Sequence, residues 1–118
     1  MPLFNPSVGG DAYTVVSGTT QTASKTNNYV ANNASQVVFT LPSTSAVGDY
    51  FSVIGKGAGG WKIAQLASQQ VHMGANNTTA GTGGSLTSNS IRDAVRLVCT
   101  VANLEWNVIF SVGSVVIT

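Results

Sequence analysis

Few side chains in this sequence have the chemistry of a catalytic group. The chain has one histidine, His72, one cysteine, Cys99, and four carboxylates. A Cys–His–Asp set for nucleophilic catalysis would have to combine Cys99, His72 and Asp93. Cys99, however, alternates with Leu97 and Val101 in an apolar strand pattern, and a thiol in apolar surroundings is poorly ionised and inert. We therefore expect Cys99 to be a core residue, and we predict no catalytic residues and no enzyme.

The other polar residues predict neither a metal site nor a cofactor. A structural zinc site takes four Cys or His ligands, and this sequence offers only two such residues. The glycine-rich stretches at 56–60 and 82–85 lack the Lys-Ser/Thr ending of a phosphate-binding loop and indicate turns. Asp49 and Asp93 stand beside strand-like runs, where short carboxylates accept backbone N–H bonds.

The segment best suited to ligand binding is the uncharged loop GANNTTAGTGGSL, residues 74–86. Long loops inside compact domains are usually functional or packed against a neighbour. Hydroxyls, amides and a nearby indole would suit hydrogen bonding to a sugar and stacking on it. The candidate binding residues are Trp61, His72, Asn76, Asn77, Thr78 and Thr79. The alternative, which we favour, is a series of tight turns packed against another subunit.

Composition narrows the class of protein further. Charged residues make up 8% of the chain and the net charge is +1, against about 25% charged residues in typical domains. The five cations are scattered, so the basic patch that nucleic-acid binding requires is missing. No apolar run approaches the roughly 20 residues of a membrane helix, and the first ten residues do not resemble a secretory signal. We expect a virion or extracellular protein that neither binds nucleic acid nor inserts into a membrane.

The elements that must position these residues are strands. Short apolar runs are separated by Gly, Pro, Asn or Ser at intervals near ten residues, which is typical of a β-sandwich or barrel. Residues 93–102 and 105–112 alternate with a period of two and predict a hairpin closed at 102–104. In the second strand this alternation predicts one apolar inner face, formed by Trp106, Val108, Phe110 and Val112. We predict an all-β fold, a small antiparallel β-sandwich or jelly-roll-like domain over residues 29–118, preceded by an extended N-terminal arm over residues 1–28.

Several strands are apolar on both faces, which predicts that both faces are covered. In so small a domain the second cover would be another subunit or an adjacent repeat, so we expect a homo-oligomer, a trimer or a polymer. The arm contains one β-capable stretch, AYTVV at 12–16, which would suit addition to a neighbour's sheet. The candidate assembly residues are Tyr13, Val15, Val16, Val115 and Ile117.

Several short motifs follow one another from Tyr29 and Asn32 through Phe39–Pro42, Val47–Asp49, Gly59–Gln65, Thr78–Gly81 and Gly84–Leu86 to Val98–Val108, about two-thirds of the chain. Their order resembles a module of phage tail-fibre and other virion-associated proteins. The resemblance implies a trimeric β-structured module, serving as a shaft segment or terminal knob that touches the host surface. It implies no catalytic residues.

These observations give three expectations of function. The first is a non-enzymatic, homotrimeric module of a phage-type fibre or virion, used for host-surface attachment or display. The second is a self-assembling subunit of an extracellular filament or sheath that exchanges its N-terminal strand. The third is a carbohydrate-binding module whose partner is a cell-surface glycan.

Overall fold

The computed structural model describes residues 12–118, and the only regular elements in that range are β-strands. The strands are β1 (Tyr13–Val16), β2 (Thr20–Thr22), β3 (Asn27–Ala31), β4 (Val37–Thr40), β5 (Tyr50–Gly55), β6 (Trp61–Ala64), β7 (Gln70–Met73), β8 (Asn76–Asn77), β9 (Ser85–Thr87), β10 (Ala94–Val101), β11 (Glu105–Val112) and β12 (Val116–Ile117). The described residues contain no helix long and apolar enough to cross a membrane.

The strands form two packed sheets. The first has seven strands in the order β1-β3-β5-β10-β11-β7-β8, and the second has five in the order β12-β9-β6-β4-β2. The all-β sandwich predicted from the punctuation of the sequence is confirmed. Its core lies between the sheets and includes an edge-to-face pair, Phe51 and Trp106, with ring centroids 5.3 Å apart.

The chain winds between the two sheets. Strands β1, β3 and β5 pair in parallel in the first sheet, and β2, β4 and β6 pair in parallel in the second. Each step between parallel neighbours crosses through the opposite sheet, which supplies the long crossover that parallel strands require. Five of the ten strand pairings are parallel, so the sheets are mixed rather than antiparallel as expected. The spacing of turn residues carries no information on strand direction, which explains the difference.

The segment expected to be an arm contributes strands to both sheets of its own chain. Tyr13–Val16 pairs in register with β3, and Thr20–Thr22 pairs with β4. Residues 1–11 lie outside the described residues. Within residues 12–28, backbone pairing shows no break that would separate an arm from a sandwich domain.

A β-bulge changes the faces of β11. Arg96 pairs with Phe110 and the next residue, Leu97, pairs with Val108, so Ile109 has no partner in β10. An extra residue in one strand reverses the side on which the following side chains lie. The expectation that Phe110 and Val112 share the inner face of Trp106 is therefore wrong. Both lie on the outer face of the seven-stranded sheet, 57% and 49% exposed.

Candidate functional site

Two of the candidate binding residues are buried. Trp61 is fully buried, and its indole N–H donates to the Asp93 carbonyl at 2.7 Å. Thr78 is 2% exposed and its hydroxyl accepts from the Val71 N–H at 2.9 Å. Neither side chain presents a surface on which a ligand would rest.

The loop 74–86 is held by a glutamine that the sequence analysis did not single out. The side-chain N–H groups of Gln65 donate to the carbonyls of Gln69, Thr79 and Gly81 at 2.8, 2.9 and 2.8 Å. Its amide oxygen accepts from the Thr78 hydroxyl. The sequence does contain a signal for this role. Gln65 stands two residues after the inward-facing Ile63, so strand alternation places its polar side chain on the buried face. The loop thus has its own internal support.

One of the exposed candidates of the loop, Asn77, contacts the histidine. Asn76, Asn77 and Thr79 are exposed, while His72 is half-buried on the neighbouring β7. The imidazole Nδ1 contacts the Asn77 side-chain oxygen at 2.5 Å, and Nε2 contacts the Glu105 carboxylate at 2.7 Å. Both partners are hydrogen-bond acceptors, so the arrangement favours a proton on each ring nitrogen. The hydrogen bonds from Asn77 and then Glu105 raise the pKa of His72 above 6.5, although burial opposes them.

We expect this pKa to be measurable, because His72 is the only histidine. A group whose pKa is higher when folded stabilises the fold fully below its unfolded value of 6.5 and loses that contribution as pH rises through the folded pKa. Titration of the imidazole proton resonances should give a midpoint above 6.5, and Glu105→Gln should lower it. A wild-type midpoint at or below 6.5, or one that Glu105→Gln leaves unchanged, would contradict this geometry.

Two of the residues considered for nucleophilic catalysis, Cys99 and Asp93, are buried and make polar contacts within the fold. Cys99 is 1% exposed, and its sulfur lies 3.3 Å from the Ser45 hydroxyl. Asp93 is 4% exposed, and its carboxylate accepts from the N–H groups of Asn89 and Ser90 at 2.8 and 2.9 Å. No group of three potential metal ligands occurs among residues 12–118.

The most distinctive surface is the outer face of the seven-stranded sheet, where β1, β3, β5, β10 and β11 form a groove of about 790 Å³. Six exposed apolar side chains define what we call the apolar face. They are Tyr13 (59% exposed), Val15 (55%), Ile54 (37%), Ile109 (60%), Phe110 (57%) and Val112 (49%). Apolar patches of several hundred Å² on a soluble protein usually mark an interaction site.

One cation stands within the apolar face. The Arg96 guanidinium lies 4.7 Å from the centroid of the Tyr50 ring, a cation–π contact. Beside it in the same cross-strand row, the Ser52 hydroxyl donates to the Asn28 side-chain oxygen at 2.6 Å. The one ion pair among the described residues joins His72 to Glu105. Arg96 therefore has no carboxylate partner in the described part of its own chain.

The candidate assembly residues divide between this face and the core. Tyr13 and Val15 lie on the apolar face. Val16 is buried, and Val115 and Ile117 pack against the core. The structure thus brings together the two outward residues of β1 with the residues that the bulge turns outward on β11.

A second group of exposed apolar residues lies at the end of the β10–β11 hairpin. Val101 and Leu104 flank its turn and are 40% and 41% exposed. The adjacent loop carries Val47, 69% exposed, and is joined to the turn by hydrogen bonds between Ser45 and Asn103. We call Val47 and residues 101–105 the hairpin tip.

No protein-family model matches the sequence, and no curated protein is similar to it.

Proposed function

We propose that the protein is a non-enzymatic structural subunit that assembles with copies of itself through the apolar face. The observation that carries this proposal is the concentration of exposed apolar side chains on one sheet face. Six of the eleven large exposed hydrophobic residues in the described chain belong to it. Covering that face would remove them from water.

The size of the apolar face supports this role. Aromatic side chains have areas of about 150–250 Å² and aliphatic ones somewhat less, so at their exposures the six present on the order of 600 Å². A stable interface buries about 800 Å² per partner. The apolar face with a polar rim reaches that size.

The setting we propose is a phage-type fibre or virion, with the subunit as a homotrimer that attaches to a host surface or is displayed on it. The low content of charged residues, 8% of the chain, and the resemblance of its motif order to tail-fibre modules support this setting. The filament with strand exchange has less support, because Tyr13–Val16 already pairs with β3 of its own chain. Carbohydrate binding at the loop has less support because Trp61 and Thr78 are buried.

Phe110→Asp tests the proposal. The variant replaces an aromatic side chain of the apolar face with a carboxylate beside Arg96, its cross-strand partner. The face then loses apolar contact area, and a further charge has to be desolvated on assembly, so we expect a folded monomer of about the mass of one chain, 12.1 kDa. Size-exclusion chromatography with light scattering measures the mass, and circular dichroism confirms the fold. Val116→Asp is the matched control, since Val116 is 46% exposed but belongs to the five-stranded sheet. A monomeric wild type at micromolar concentration would overturn the proposal.

A further inference from the structure

Arg96 restricts what can cover the apolar face. Moving a charge out of water without a partner costs several kcal/mol, and Arg96 has no ion-pair partner among the described residues. No described carboxylate lies among the residues that line the groove. A contact that pairs two apolar faces about a two-fold axis would bring two arginines into an apolar interface without a carboxylate. The covering surface should instead supply one.

The chain has few carboxylates to offer. Of the three in the described residues, Asp93 is buried and Asp49 is half-buried, accepting from the Ala46 N–H at 2.9 Å. Glu105 is different, because its side chain is 40% exposed. His72 contacts its Oε1, and no described residue donates a hydrogen bond to its Oε2. Glu105 therefore keeps one carboxylate oxygen for a partner.

The surroundings of Glu105 also match the groove. It lies at the hairpin tip beside Leu104 and Val101, which are exposed and apolar. The tip thus combines apolar side chains with one anion, and the apolar face combines apolar side chains with one cation. Complementary charge of this kind fixes the register of an interface.

We infer that the hairpin tip of one copy docks into the groove of the next, with Glu105 paired to Arg96. This inference rests on the proposed self-assembly and specifies its geometry. The two surfaces lie toward opposite ends of β10 and β11, so the contact is head-to-tail. Head-to-tail contacts form a ring if the rotation closes and a filament if it does not.

A charge exchange tests the pairing. Arg96→Glu alone and Glu105→Arg alone should each weaken assembly by roughly 30-fold or more, as expected on disrupting a buried charge pair. The double variant with both changes should regain much of the loss. His72→Gln is the matched control, because it removes the imidazole from Glu105 but keeps the carboxylate, and it should assemble. Asp11 is the fourth carboxylate of the sequence and lies outside the described residues. If Glu105→Arg assembles normally, or if Asp11→Arg prevents assembly and Glu105→Arg does not, the inference is wrong.

Mixing two variants tests the polarity of the contact. Phe110→Asp disables the groove, and Leu104→Asp disables the tip, so each alone should be a monomer. In a mixture, the intact tip of Phe110→Asp can dock into the intact groove of Leu104→Asp. The resulting dimer has no further intact surface, so it should not grow. No dimer in the mixture, or Leu104→Asp assembling like the wild type, would overturn head-to-tail docking. In that last case the disruption by Phe110→Asp would still support self-assembly.

Discussion

Gly59→Ala should unfold the protein or destabilise it by about 4 kcal/mol or more, the range seen when a substitution cannot be accommodated. A Cβ atom at this position would lie 2.0 Å from the Ser35 carbonyl carbon and 2.5 Å from the Gln36 backbone nitrogen. Both are backbone atoms, so no side-chain rotation relieves the clash. The glycine N–H also donates to the Asn33 carbonyl at 3.0 Å, and a shifted backbone would lose that bond.

Gly18→Ala is the matched control. Its Cβ would meet nothing within 4 Å, so its free energy of unfolding should stay within about 0.5 kcal/mol of the wild type. Urea denaturation followed by tryptophan fluorescence measures both variants, and Trp61 and Trp106 are fully buried reporters. Equal urea midpoints for Gly59→Ala and the wild type would contradict the close approach.

Gly59 shows which part of the fold can be predicted from the sequence and which part cannot. The stretch at 56–60 was predicted to be a turn, and the structure places a turn there between β5 and β6. The sequence does not show that this turn lies against the turn at 33–36, between β3 and β4. Gly57 makes the same approach, with a Cβ that would lie 2.3 Å from the Asn33 nitrogen. Such contacts arise from the winding between sheets, which residue spacing does not reveal.

Strand positions were predictable and strand partners were less so. The apolar runs that begin or end at glycine or proline correspond to β4, β5, β6 and β7, and the hairpin of β10 and β11 is confirmed. Strand β2 and the first two residues of β3 were assigned to an arm because the first 28 residues contain few apolar residues outside residues 12–16. Their positions depend on parallel pairing with later strands, which is a tertiary effect.

The candidate surface was only partly predictable for a related reason. Tyr13 and Val15 were among the candidate assembly residues because they belong to the β-capable stretch at 12–16. Phe110 and Val112 were assigned to the core because a strictly alternating pattern assumes that no residue is inserted, and Ile109 is an inserted residue at the bulge. Arg96 was one of five scattered cations, and its importance depends on the apolar neighbours that the sheet assembles around it.

Gln65→Leu should lower the free energy of unfolding by about 2–4 kcal/mol, because it removes four hydrogen bonds that each contribute about 0.5–1.5 kcal/mol. The Thr79 carbonyl would lose its side-chain donor. The carbonyls of Gln69 and Gly81 would each keep only a backbone N–H donor, and the Thr78 hydroxyl would keep only the Val71 carbonyl as acceptor. Leucine is close to glutamine in size, so the loss measures hydrogen bonding more than volume.

Gln36→Leu provides the comparison for this change. Gln36 is exposed, so the same substitution there should alter stability by no more than about 0.5 kcal/mol. Urea denaturation gives the global effect, and amide hydrogen exchange at Val71 and Thr78 gives the local one. Both amides are hydrogen-bonded within the segment that Gln65 holds: Val71 N–H donates to the Thr78 hydroxyl, and Thr78 N–H to the Val71 carbonyl. Faster exchange at both amides in Gln65→Leu, with Gln36→Leu unchanged, is the expected pattern. Full stability in Gln65→Leu would mean that the loop does not depend on this network, and a ligand-binding role for residues 74–86 would regain support.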